Sequence, residues 1–129
     1  MFLQAEGIAF VGPTPEVLEL FGDKTAARAL AKECGVPVLQ GSDVAFDDAK
    51  AALGFIDRHQ MSYPLLLKAA YGGGGRGIRT VASPSEFVEL FDRCSSEAAA
   101  AFGKSQVFVE ELVKDARHVE VQVLGDAGW

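Results

Sequence analysis

Several things are scarce in this chain, and each scarcity removes a class of function. Basic residues are outnumbered: 12 Lys and Arg face 18 Asp and Glu, a net charge of −6. No basic excess exists to neutralise phosphates along a nucleic acid or an anionic membrane surface. No apolar run reaches the length that spans a bilayer. The start, "MFLQAEG", lacks the basic segment and apolar core of a secretory signal. Cysteine is limited to Cys34 and Cys94, far apart and outside any C-x-x-C pattern. Both read as reduced thiols rather than a disulfide or a metal site. Internal repeats and low-complexity tracts are absent. What remains, about half apolar and a quarter charged, has an ordinary globular balance.

Glycine, by contrast, is concentrated. Five of the six residues from Gly72 to Gly77 in "LLLKAAYGGGGRGIR" are glycine. Glycine loses the most backbone freedom on folding, so such a loop is costly to order. Three phosphate-binding motifs match it formally. G-x-x-x-x-G opens a P-loop, but Ile78 and Arg79 stand where Lys and Ser or Thr are required. G-x-G-x-x-G fits through Gly72, Gly74 and Gly77, yet a dinucleotide fingerprint must open a helix, and "IRTV" is β-rich. The third reading is a flap between two antiparallel strands that covers phosphates, as in kinases. The strand–loop–strand order supports it, although the other kinase signatures are missing. Glycines let backbone N–H groups approach a polyphosphate closely. Lys68, on the strand leading in, adds a positive charge. The flap is expected to be mobile without its ligand.

The surrounding pattern is mixed α and β. "GIAFVG", 7–12, reads as a buried strand. Thr14 caps a helix with Pro15 at its first position, and Asp23 caps another over Lys24 to Cys34, ended by Gly35 and Pro37. Residues 36–46 form a connection with room for a short strand at Val36–Leu39. From Asp47, Ala49, Leu53 and Ile56 mark a helical face. Strands follow at "LLLKAA" and "GIRTV". Ser83, Pro84 and Glu86 form a capping box before a helix with a Phe87, Leu90, Phe91, Cys94 stripe, ended by Gly103. "QVFVEELV", 106–113, reads as a strand. "RHVEVQVLGD", 117–126, reads as another, with Val119, Val121 and Val123 on one face and His118, Glu120 and Gln122 on the other. The chain stops at Trp129 directly after that strand and turn, which reads as a fragment.

"GDKTAAR" (22–28), "KAAYGGGGRGIR" (68–79), "VFVEELV" (107–113) and "RHVEVQVLGD" (117–126) together resemble the biotin carboxylase component of biotin-dependent carboxylases, an ATP-grasp family. The versions in pyruvate carboxylase and bacterial acetyl-CoA carboxylase are most similar. The resemblance runs over nearly the whole chain, in order and at the right spacing. It implies an α+β (α/β) fold in three parts: residues 1–36 as the end of a preATP-grasp domain, 37–113 as the ATP-grasp B subdomain (a small antiparallel sheet with helices, acting as a lid), and 114–129 as the first strand of the C-terminal ATP-grasp domain. It implies a ligase in which ATP, with Mg2+ or Mn2+, phosphorylates bicarbonate, and the carboxyl group passes to biotin on a separate carrier domain. A homo-oligomer in the cytoplasm or the mitochondrial matrix is implied for the complete enzyme.

The family's ATP-binding positions fall on particular residues here. Lys24 and Lys68 match lysines that reach the phosphates. A lysine in a first helical turn opposes the helix dipole, so a bound anion explains Lys24 well. Gly72, Gly73, Gly74, Gly75 and Gly77 match the flap. Glu110, Glu111, Leu112 and Val113 match the segment lining the adenine, with the Glu110 carboxylate a candidate acceptor from the adenine amine or the ribose. His118 matches a histidine near the nucleotide. Two departures stand out: Glu111 replaces a family Lys or Arg, and Gln40 replaces a proline in a turn. The first leaves only a backbone role for position 111; the second alters hinge stiffness. The resemblance puts the metal ligands and the residues handling bicarbonate and biotin beyond position 129, so these 129 residues alone are expected to carry no carboxylation activity. Two other readings stand beside this one: a different ATP-grasp ligase of the carbamoyl-phosphate synthase kind, and a non-catalytic nucleotide-binding module.

Overall fold

The computed structural model describes residues 2–125. Helices α1 (Phe2–Ala5), α2 (Pro15–Gly22), α3 (Lys24–Glu33) and α4 (Ala49–Arg58) precede strands β1 (Leu65–Ala69) and β2 (Ile78–Val81). A 3-10 turn, Pro84–Glu86, leads into the long helix α5 (Phe87–Phe102), and strand β3 (Val107–Glu111) follows. The strands form one antiparallel sheet in the order β2-β1-β3.

Local chemistry accounts for the helix ends. The Thr14 hydroxyl accepts from the Val17 amide at 3.4 Å, with Pro15 opening α2. Asp48 accepts from the Ala51 amide at 2.8 Å and starts α4. Glu86 accepts from the Ser83 amide at 3.0 Å, the returning half of the capping box. That box first tightens one 3-10 turn, and the α-helix proper begins at Phe87. Gly103 closes α5 at φ 72°, a left-handed cap.

Burial alternates along β1. Leu65, Leu67 and Ala69 face α4 and α5; Leu66 and Lys68 face the other way. Phe87, Phe91 and Cys94 on α5 meet Leu65, Leu67, Val81, Val107 and Val109 of the sheet, with Ala52 and Ile56 of α4 completing the core. Leu90 packs at its margin, partly buried. The free edge of β3 is covered by the connection after α3. Ser42 N donates to the Val109 carbonyl at 2.8 Å, Val109 N donates to Ser42 Oγ at 3.0 Å, and Phe46 pairs with Val107.

Two expected strands are not formed. Residues 7–12 and 117–125 run without regular structure, and Val36–Leu39 is likewise irregular. Ile8, Val11, Val119, Val121 and Val123 are exposed. Alternating valines make a strand only beside a partner that takes up their N–H and C=O groups. Among the described residues neither segment has one. Asp126, the last residue of the second segment, lies outside the described residues.

The thiols differ in environment. Cys94 is fully buried, and burial pushes its pKa up to about 11; Cys34 is exposed. Only a thiolate reacts readily. A maleimide in the native state is therefore expected to label one site, Cys34. Intact mass should show a single adduct, rising to two only on unfolding.

Candidate functional site

The second face of the sheet carries the site. Register places Lys68 opposite Phe108 and Leu66 opposite Glu110, so Lys68, Phe108 and Glu110 share that face. Helix α3 lies across it. Its Lys24, Ala27, Arg28 and Ala31 recur at i, i+3, i+4 and i+7, a single stripe. Between stripe and sheet is a cleft of about 310 Å³, with Phe21, Val38 and Phe108 among its apolar lining.

The start of α3 is fixed to the end of β1. Asp23 Oδ1 accepts from the Thr25 amide at 2.9 Å, the Thr25 hydroxyl at 2.6 Å and the Ala26 amide at 3.2 Å. Burial raises the Asp23 pKa, but the hydrogen bonds from Thr25, Ala26 and Tyr71 outweigh it and hold the carboxyl below its usual range. Lys24 N donates to the Ala70 carbonyl at 3.1 Å, and Asp23 bridges to Tyr71. The N-terminus of α3 is thereby held at the point where the glycine loop leaves β1. Lys24 Nζ donates to the carbonyl of Gly72, the first glycine of the loop. Lys104 Nζ sits 3.5 Å from the Tyr71 ring centroid, a cation–π contact at the same base.

Two glycines are required by close approach. A Cβ on Gly72 (φ 86°) would lie 2.3 Å from the Phe102 ring; one on Gly77 (φ 64°) would lie 2.8 Å from the Ala69 Cβ. Gly73, Gly74 and Gly75, at the tip, have open space around them. The Gly77 carbonyl accepts from the Ala69 amide at 2.7 Å and from Cys94 Sγ at 3.1 Å. Both ends of the loop are thus anchored, and its tip has room for a side chain. Gly77→Ala is expected to cost about 1–3 kcal/mol through its left-handed backbone and the Ala69 contact. Urea unfolding measures that loss; Gly74→Ala, without the close contact, should cost less.

Charge in the cleft is unbalanced. Burial lowers the pKa of the Lys24 ammonium, the positive charge of Lys68 lowers it further, and Asp23 only partly opposes them. Glu110 is buried, and its carboxylate is shared: Oε1 accepts from Arg28 Nη1 at 3.2 Å, and Oε2 pairs with Lys68 Nζ. Arg28 Nη2 donates to the Leu39 carbonyl at 2.7 Å. Two lysines converging on a partly dry cleft, with one carboxylate between them and Arg28, make a site for an anion.

The structure brings Lys24, Lys68 and Glu110 together in the lining of the cleft, with Gly72 held against Lys24. Glu111, Leu112 and Val113 follow Glu110 in the chain but do not line the cleft; the Glu111 amide donates to the Gln40 carbonyl at 2.8 Å while its side chain is exposed. The Glu110 carboxylate, the candidate acceptor from the base or ribose, is engaged by Arg28 and Lys68 instead. His118 is not brought in: it is exposed, 3.4 Å from Glu120, and does not line the cleft. Arg28 is the residue that sequence reasoning missed. Its signal was available in the α3 stripe, where a cation follows Lys24 by one turn among alanines.

Comparison with known proteins defines the class first. The fold is that of an ATP-grasp nucleotide-binding region. The biotin carboxylase of Campylobacter jejuni, solved as a β,γ-ATP complex, superposes with a TM-score of 0.82 at 36% identity, over 88% of this chain and 25% of that one. The biotin carboxylase domain of Hydrogenobacter thermophilus 2-oxoglutarate carboxylase, solved with MgADP, ADP and bicarbonate, superposes with a TM-score of 0.80 at 37% identity, over 88% of this chain and 24% of that one. In sequence, pyruvate carboxylase of Bacillus subtilis is 47% identical over 123 residues, which is 95% of this chain and 10% of that protein. The family described as carbamoyl-phosphate synthase L chain, ATP binding domain, matches residues 23–128. This chain belongs to that family. It spans about a tenth of the length of the curated relatives it matches.

Proposed function

We propose that this chain is the ATP-binding, lid-bearing part of a biotin carboxylase. The observation that carries the reading is the convergence of Lys24 and Lys68, from separate elements, on one cleft at the base of the glycine loop. The lysines neutralise the phosphates, and the loop's backbone amides cover them. The adenine lies toward the apolar wall, read by backbone groups of Glu110 to Val113. His118 reaches the nucleotide only when its segment pairs into a further sheet.

Residues 1–36, 37–113 and 114–129 are the end of a preATP-grasp domain, the B subdomain and the start of the C-terminal ATP-grasp domain. In the complete enzyme, ATP phosphorylates bicarbonate, and the carboxyl group passes to biotin on a carrier domain. Among the described residues no group of three or more His, Cys, Asp or Glu side chains converges to hold a metal. The protein ligands for Mg2+ or Mn2+ are proposed to lie beyond position 129. Among the described residues no helix is long and apolar enough to cross a membrane. The compartment proposed is the cytoplasm or the mitochondrial matrix.

The description of the matching family favours a second reading, an ATP-grasp ligase of the carbamoyl-phosphate synthase kind. The 47% identity to pyruvate carboxylase supports the first. Titration with MgATP, followed by amide shifts, tests the nucleotide site common to both. Saturable shifts confined to residues 72–77 and 110–113 are expected; their absence overturns it. Biotin-dependent ATP turnover by the complete enzyme separates the two readings.

A further inference from the structure

We propose that Arg28 is a positioning residue for Lys68, acting through Glu110 to keep that lysine's charge available to a polyphosphate. This rests on the reading that the cleft takes nucleotide phosphates. Glu110 is buried at the middle of the group, with one carboxylate oxygen on Arg28 and the other on Lys68. A carboxylate paired with Lys68 alone would cancel its charge, leaving a neutral pair facing the ligand. Sharing it with Arg28 leaves the three groups with a net charge of about +1, from formal charges at neutral pH. Lys24 adds its own charge from the other side of the cleft.

The guanidinium is well placed for this role. One terminal nitrogen is on Glu110 and the other on the Leu39 carbonyl, so the group is held at two points 11 and 82 residues away in sequence. Its Nε is buried without a partner, so these two contacts define the orientation. The Leu39 contact uses the planar fork of arginine, whereas the positive charge beside Glu110 is what a lysine at this position also supplies. With Arg28 in place, the Glu110 carboxylate is fixed in one orientation, and Lys68 is held at the cleft rather than drawn across the carboxylate.

The test separates phosphate from base. Wild type, Arg28→Met and Arg28→Lys, each as the full chain, are titrated with MgATP and with adenosine by amide shifts. Arg28→Met is expected to weaken MgATP about tenfold and adenosine less than about twofold, because the lost contact serves the charge. Arg28→Lys, which keeps the charge, should recover most of the MgATP affinity. A residue that merely held the fold would weaken both ligands together, and that result overturns the proposal, as does no change for either. If Arg28→Met does not fold, Arg28→Gln, which removes the charge but keeps polar contact, decides: a loss of about tenfold for MgATP alone supports the proposal, and equal loss for both ligands or no loss for either overturns it. A wild-type chain that binds adenosine but not MgATP overturns the phosphate reading and this proposal with it. A wild-type chain that binds neither overturns the nucleotide site itself.

Discussion

Lys68→Met is expected to lower the affinity for MgATP about a hundredfold, the worth of one charge-assisted contact to a phosphate in a partly dry site. Calorimetric titration measures it. The substitution keeps the length of the side chain and leaves Glu110 paired with Arg28, so no buried ion is stranded. Lys68 lies on the cleft face of β1, away from the Phe87 and Phe91 core, and the melting temperature should change little. An unchanged affinity would place the phosphates elsewhere. The same titration in high salt should narrow the difference, because screening weakens the lysine's share.

Glu110→Ala should be strongly destabilising, costing about 3–5 kcal/mol. The carboxylate is the shared partner of two cations, and one of them, Arg28, is 9% exposed. Removing it leaves like charges facing each other where water reaches poorly. A loss of that size is a large part of the 5–15 kcal/mol that holds a typical domain folded, an order-of-magnitude scale. Glu110→Gln keeps the shape and one acceptor oxygen, so it should cost less. Urea unfolding of the two variants measures both, and a Glu110→Ala loss within about 1 kcal/mol of wild type would show that the triad is no more than a surface ion pair. The Arg93–Glu89 pair, exposed on α5, is the internal contrast, because its removal is expected to have almost no effect.

Most of the lid was legible because its signals are local. The Asp23 and Ser83–Glu86 caps each act within a few residues, and the apolar stripe of α5 needs only helical spacing to be seen. The strand–loop–strand order around Gly72–Gly77 was readable for the same reason, since a hairpin joins neighbours in sequence. What escaped depends on distant partners. Val119, Val121 and Val123 alternate as a strand should, but alternation states only which face each side chain would take, not that a neighbouring strand is there. Arg28 meets Glu110 across 82 residues, and nothing near either one announces the other. At position 72 the left-handed backbone already asks for glycine, and Phe102, thirty positions on, adds a close contact that the turn does not announce.

The placement of β1 between β2 and β3 has a consequence for timescale. β1 has a strand on either side, so its amides should be among the slowest to exchange with solvent. Lys68 rides on that strand, while a Cβ at Gly73, Gly74 or Gly75 a few residues later would meet no neighbouring atom. A cation on a doubly flanked strand and a cover with room around its tip are thus joined by a handful of peptide units. Ligand arrival then needs to order only the cover, because the charge it meets is already in place.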